Sequence, residues 1–400
     1  MSLIAERLKY IKPSPTLAVS KKANELKALG IDIISLSVGE PDFDTPDHIK
    51  EAAIEAIKRG ETKYTNVDGT PELKKAIKEK FKNDNNLNYE LNQIIVGAGG
   101  KQVLYNAIMA SVNPGDEVII TSPYWVSYPD IVSLAQGIPV FINCTEENNF
   151  KLKAEDLAKF ITPKTKWIIL NSPSNPTGAT YSYEELKAIS EVLLNFPHVH
   201  ILSDDIYEYM IYDNLKFHTI AEVEPKLFDR TLTLNGVSKS YSMTGWRIGY
   251  AGGPKELINA MSIIQSQSTS NSASISQAAA LGALKGPQGF LSEWRNSFTK
   301  RRNLVVELLN ASKYISCIKS EGAFYLFPNC KGMFEKITPA GNIIKNSNDV
   351  ATYFLEEANV AVVPGIAFGM DGYFRISYAT SEEILKEACN RINNACEKLK

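Results

Sequence analysis

The 400-residue chain predicts an α/β fold, with a large domain on a mostly parallel central sheet and a smaller α+β domain after it. Three observations carry this reading. Short apolar runs alternate with helical patterns over residues 48–285, the chemically unusual residues follow those runs, and the pattern changes after residue 286.

Taken in order, residues 1–47 form an N-terminal arm and contribute part of the small domain. The opening "MSLIAERLKYIKPSP" breaks its apolar residues with charges and Pro, so it lacks a signal-peptide core. Residues 48–285 form the large domain. Its strands are read from "QIIVG", "EVIIT", "PVFIN", "WIILN", "HILSD", "TLTLN" and "RIGYA", while "KQVLYNAIMASV" and "YEELKAISEVLLNF" repeat apolar residues at helical spacing. Ligands of such sheets sit beyond the carboxyl ends of the strands. Gly97–Lys101, Ser122–Tyr128, Asn171–Gly178, Asp204–Tyr207 and Ser238–Lys239 all fall there, so their loops converge on one crevice. The serine-rich "QSQSTSNSASISQ", 265–277, has the composition of a linker, but it runs straight into the helix former "AAALGAL". Residues 286–400 form the small domain, with long charged helices around "GAFYLF", "VAVVPG" and "YFRISYA".

Composition excludes several classes of function. A formal net charge of −2 disfavours nonspecific binding to nucleic acid or an anionic membrane. The chain has no apolar run of about 18 residues, the length a spanning helix needs. Cys144, Cys317, Cys330, Cys389 and Cys396 are odd in number and form no CxxC pair, which points to free thiols in a reducing compartment, the cytoplasm. The four histidines lack metal-ligand spacing, and no metal is expected.

The chemistry centres on "GVSKSYSMTGWRIGYAGG", where Lys239 and Arg247 stand between two strand patterns with no acid from Asp229 to Glu256. Cations at a sheet end need partners from elsewhere in the fold or an anionic ligand. "GAGGKQ" fits neither the P-loop nor GxGxxG, and is either a plain turn or a helix opening whose free N–H groups at Gly99, Gly100 and Lys101 bind one phosphate. The Arg247 fork and the Ser238 hydroxyl suit that phosphate. Lys239 is then explained by a Schiff base to an aldehyde on the same ligand, which is pyridoxal 5'-phosphate. Such a cofactor requires a carboxylate at its pyridine nitrogen. Asp204 supplies it on the strand face opposite Asp205, unless it is a helix N-cap. Asn175 and Tyr207 offer donors to the phenolic oxygen, and Trp125 a stacking surface.

These motifs, with "KPSPTLAV", "GEPDFDTP", "TKYT", "SPYWVSYP", "NSPSNPTG" and "EGAFYLF", resemble class I aminotransferases of the fold-type-I pyridoxal-phosphate enzymes, nearest the bacterial aspartate/prephenate branch. The resemblance spans nearly the whole chain. It implies that Lys239 shuttles the proton, with Asp204 and Tyr207 as its catalytic companions, and that Arg375 and Gly39 receive the substrate α-carboxylate beside Trp125 and Asn175. It also implies a homodimer in which Tyr64 reaches the partner's phosphate site. One departure is visible, because no Lys or Arg lies between Lys255 and Lys285, where aspartate aminotransferases of the animal and enteric type carry the arginine for the substrate side chain. Lys12 is the candidate replacement. The implied reaction moves an amino group between aspartate and 2-oxoglutarate, with prephenate as a further acceptor. The alternatives are an aminotransferase for aromatic or alanine-like amino acids and a pyridoxal-dependent lyase.

Overall fold

The computed structural model describes residues 3–11 and 13–400. Strand β1 (Ile34–Ser35) lies in the arm, and seven further strands build the central sheet: β2 (Ile94–Gly97), β3 (Glu117–Ser122), β4 (Ile138–Asn143), β5 (Thr165–Asn171), β6 (His200–Asp204), β7 (Thr231–Gly236) and β8 (Gly249–Gly252). Their order is β2-β8-β7-β6-β5-β3-β4. The pairs from β4 through β7 are parallel, and β8 is antiparallel to both of its neighbours.

The inner strands β3, β5, β6 and β7 are short, apolar and largely buried on both faces, as parallel strands covered by helices must be, whereas the edge strand β4 leaves Ile138 and Phe141 exposed. Alternation sorts the side chains. Val118, Ile120, Trp167, Ile169 and Leu202 pack with the helices Gly100–Ser111 and Ser127–Leu134, while Ile119, Ile168, Leu170 and Ile201 pack against Tyr183–Leu194 on the other face. Asp204 shares the parity of Leu202, which aims it at the first face.

The remaining strands are β9 (Tyr325–Leu326), β10 (Val360–Ala361), β11 (Val363–Pro364) and β12 (Phe374–Ser377). β1 pairs in parallel with β10, so the arm is stitched to C-terminal residues, and β11-β12-β9 form a small antiparallel sheet. Their core joins Phe298, Val305, Phe324, Phe354, Phe374 and Ile392 with Tyr207 and Met210 from beyond β6. Between this core and the central sheet lies a cleft of about 410 Å³. No helix among the described residues is long and apolar enough to cross a membrane, and none of their His, Cys, Asp and Glu side chains group as a metal site.

Candidate active site

Lys239 follows β7, and its Nζ donates to the Gly39 carbonyl at 2.6 Å. Burial, then the nearby Arg375 charge, pulls the Lys239 ammonium down to about 8, against the opposing pull of Glu40. The amine is thus poised to lose its proton near neutrality. The strap that supplies this carbonyl approaches closely because Gly39 has no side chain: a Cβ there would stand 2.7 Å from the Tyr325 hydroxyl.

Asp204 ends β6. Its Oδ2 accepts from Tyr128 Oη at 2.6 Å, while its Oδ1 is buried with no partner. Burial raises its pKa to about 6. A buried acceptor without a donor is costly, and the N–H of a pyridinium ring would satisfy it. Asp205 points the other way, accepts from Ser203 Oγ at 2.7 Å and lies outside the cleft lining.

The phosphate end is equally specific. The first N–H groups of the helix Gly100–Ser111, those of Gly100 and Lys101, have no intrahelical acceptor, but the Gly99 N–H, expected to be free, donates to the Gly97 carbonyl at 2.8 Å. Gly99 caps it at φ +88, and a Cβ on Gly99 would strike the Arg247 guanidinium, so turn and cation form one surface. Arg247 donates to the carbonyls of Thr244 at 2.9 Å and Ala98 at 3.3 Å and pairs with no described carboxylate. Ser238 lines the same end. These residues fit pyridoxal phosphate at both of its ends.

Arg375, on the central strand of the small sheet, is 2% exposed. It donates to Asn175 Oδ1 at 2.9 Å and to the Ser37 carbonyl at 2.7 Å, and its Nε is unpartnered. No described carboxylate pairs with it, so a buried guanidinium faces the cleft with its charge uncompensated. Asn175 is placed by its own N–H, which donates to Asn171 Oδ1 at 2.8 Å. Tyr207 shares a 2.9 Å hydroxyl contact with Tyr325. Trp125 meets Tyr128 edge-on, with the Lys101 Nζ 5.0 Å over its ring.

An amine, a carboxylate with one unpartnered oxygen, an anion cradle and an uncompensated arginine therefore share one crevice. The family model for class I and II aminotransferases matches residues 31–392.

The chain belongs to the class I and II aminotransferases.

This aminotransferase is 63% identical over 396 residues to a probable aspartate/prephenate aminotransferase of Rickettsia felis, covering 99% of this chain and 97% of the relative. Identity to an aspartate aminotransferase of Rhizobium meliloti strain 1021 is 57% over 395 residues, covering 99% and 96%. Among solved structures, a Rhizobium meliloti aspartate aminotransferase superposes with a TM-score of 0.97 at 56% identity, covering 100% of both chains. The Thermus thermophilus enzyme with maleate gives 0.93 at 41% identity, covering 99% of this chain and 100% of that one.

The cleft of this aminotransferase gathers Gly39, Gly100, Lys101, Trp125, Asn175, Asp204, Tyr207, Ser238, Lys239, Arg247 and Arg375 of the expected residues. Gly99 and Tyr64 are not among its lining, and Tyr64 is 92% exposed. Lys12 lies outside the described residues. Sequence reasoning missed Tyr128 and Tyr325. Tyr128 lies in the first turn of the helix Ser127–Leu134, just after Trp125 in the loop, and an aromatic so close to a predicted site residue was the signal for it.

Proposed function

We propose that the protein transfers the amino group between aspartate and 2-oxoglutarate, and to prephenate, with pyridoxal phosphate as cofactor. The observation that carries this is Arg375, a buried guanidinium with no carboxylate partner on the cleft wall near Lys239. It awaits the one group common to all amino-acid donors, the α-carboxylate.

The cofactor supplies the aldehyde that takes the amino group and an electron-withdrawing ring that stabilises charge at the substrate Cα. Lys239 would hold it through Nζ, and the amine, once free, would move the proton between the substrate Cα and the cofactor C4′. Asp204 would keep the ring nitrogen protonated through Oδ1, and Tyr128 fixes that carboxylate. Tyr207 and Asn175 would bond the phenolic oxygen, Trp125 would cover the ring, and Ser238, Arg247 and the N–H groups of Gly100 and Lys101 would hold the phosphate. Gly39 gives the α-carboxylate close backbone access.

For the side-chain carboxylate, elimination leaves one cation among those lining the cleft. Lys239, Arg247 and Arg375 are already assigned, and Lys101 Nζ has no ion-pair partner among the described residues. Lys101 therefore serves substrate with its side chain and phosphate with its backbone. Lys12 is a second candidate, four residues before Thr16, which lines the cleft. We further infer a homodimer, supported by the exposed Tyr64 and by Ile54 and Ile57 left exposed on the helix Asp47–Lys58. Tyr64 then completes the partner's phosphate site. The chain divides into an arm (1–47), a large body (48–285) and a small body (286–400), and its five buried free thiols suit the cytoplasm.

The test is a half-reaction. The loaded enzyme mixed with aspartate and no acceptor should release oxaloacetate and retain the amino group on the cofactor, read as an absorbance change. Aromatic and alanine-like donors should react far more slowly. Release of ammonia, with no amino form of the cofactor accumulating, would establish a lyase instead.

A further inference from the structure

The serine-rich stretch 265–277 carries two glutamines that are buried completely: Gln265 is 0% exposed and Gln277 1%. Gln265 Nε2 donates to the Val67 carbonyl at 2.6 Å and the Val96 carbonyl at 2.8 Å, and its Oε1 accepts from Asn106 at 2.9 Å. Gln277 Nε2 donates to Thr65 Oγ1 at 2.9 Å and the Ser272 carbonyl at 2.8 Å, and its Oε1 accepts from the Thr70 N–H at 2.8 Å. Ser274 Oγ adds a 2.7 Å bond to the Glu61 carbonyl. Both N–H groups of each amide are thus in use.

These bonds converge on residues 61–70, which form neither helix nor strand. Burying a long polar side chain costs desolvation and rotamer freedom, and an aliphatic residue would fill the same space more cheaply. Two buried amides nevertheless hold this one loop. Its large side chain, Tyr64, makes no hydrogen bond among the described residues and is 92% exposed. Surface loops with small purpose are mobile. This one is pinned on both flanks of an aromatic that points away from its own subunit.

We propose that Gln265 and Gln277 are positioning residues that set Tyr64 for the site of the partner subunit, an inference that rests on the dimer with composite sites described above. Gln265 does more than brace the loop. Val96 leads directly into the phosphate turn Gly97–Lys101 of its own subunit, so one amide spans the loop a subunit lends and the turn it keeps. Gln277 touches only the lent loop and its own stretch.

Mixed dimers test this, with the dissociation constant of pyridoxal phosphate read by absorbance titration and not by turnover. One chain carries Lys239→Ala, so covalent binding reports only the other chain's site. Gln277→Leu on the Lys239→Ala chain, which lends its Tyr64 to the reporting site, should weaken cofactor binding about fivefold to tenfold, the effect of losing one well-placed bond. Placed on the reporting chain, the same change should cost less than about twofold. Gln277→Glu, which keeps the acceptor for Thr70 and loses the donations, should give the same asymmetry and serves if the leucine variant fails to fold. Added to Tyr64→Phe, neither change should weaken binding further. Equal effects in both placements, or a larger one on the reporting chain, overturn the proposal. Tyr64→Phe run in the same two placements separates the premises: with no trans effect from Tyr64→Phe the composite site itself falls, whereas a trans effect from Tyr64→Phe and none from Gln277 removes only the positioning role.

Discussion

Tyr128 donates to one oxygen of Asp204 at 2.6 Å and leaves the other oxygen buried without a partner. The phenol thereby chooses which lone pairs face the cleft. It also lowers the pKa of a carboxyl that burial has raised to about 6. In Tyr128→Phe that support is gone, so the Asp204 pKa should rise, less carboxylate should be ionised at pH 7, and the acidic limb of the kcat profile should move to higher pH. We expect kcat at pH 7 to fall about tenfold and to recover substantially by pH 9. An unmoved limb would show that Tyr128 does not govern the carboxylate. Asp204→Ala should lose about 1,000-fold in kcat, while Asp205→Ala, on the other strand face, keeps most of its activity.

Lys239 should be the residue that borohydride labels in the loaded enzyme, as read by peptide mapping. Lys239→Ala should still bind cofactor through the phosphate and stacking contacts, yet lose turnover by at least about 1,000-fold. Because burial and Arg375 bring the amine down to about 8, the rate at which apoenzyme captures pyridoxal phosphate should climb with pH through a midpoint near that value. A midpoint near 10 would mean that the amine is not perturbed.

Arg375→Ala should weaken aspartate, glutamate and prephenate alike, by about 100-fold in kcat/KM, since all carry the α-carboxylate. Lys101→Ala and Lys12→Ala should instead act on the side-chain carboxylate, lowering kcat/KM about tenfold or more for dicarboxylates relative to alanine. A uniform loss from either lysine variant, across donors with and without a second carboxylate, would refute its assignment.

Asp205 is buried with one oxygen unpartnered, and burial lifts it to about 7 from 3.8 in the unfolded chain. Its folded pKa is raised, so the stability tied to its proton is complete below 3.8 and is lost as pH rises towards about 7. Asp205→Asn removes that titration. Thermal melts of the apoenzyme should show the variant gaining on wild type between pH 5 and 8, by about 1 kcal/mol or more at the upper end. Parallel melting curves across that range would show that Asp205 does not titrate there.

The sheet and most of the cleft were legible in the sequence because they rest on local signals. Apolar runs such as "WIILN" mark buried strands, and Lys239, Arg247 and Asp204 are charges at strand ends, where a charge demands a reason. Tyr325 carried no such signal, since an aromatic in "GAFYLF" reads as core until Gly39 and Tyr207 are seen beside it. The role of 265–277 was equally hidden. Its serines suggest flexibility, whereas the structure puts its two end glutamines in the interior, and only the chain distance they span, such as Gln265 to Val67, reveals what they hold. The antiparallel direction of β8 was invisible too, because a run like "RIGYA" does not encode the direction of its partners.

That reversal of β8 has a consequence for molecular recognition. The chain leaves β7 and re-enters the sheet in β8 at the same end of the strands, so Lys239 and Arg247 are the two jaws of one short connection and do not ride on separate crossovers. Such a connection works as a calliper. Its opening is set by the few residues between the jaws and by the ladder that pairs Gly236 with Gly249. The same two charges on loops of independent length would have no common anchor, whereas here each stands within three residues of the paired Gly236 and Gly249.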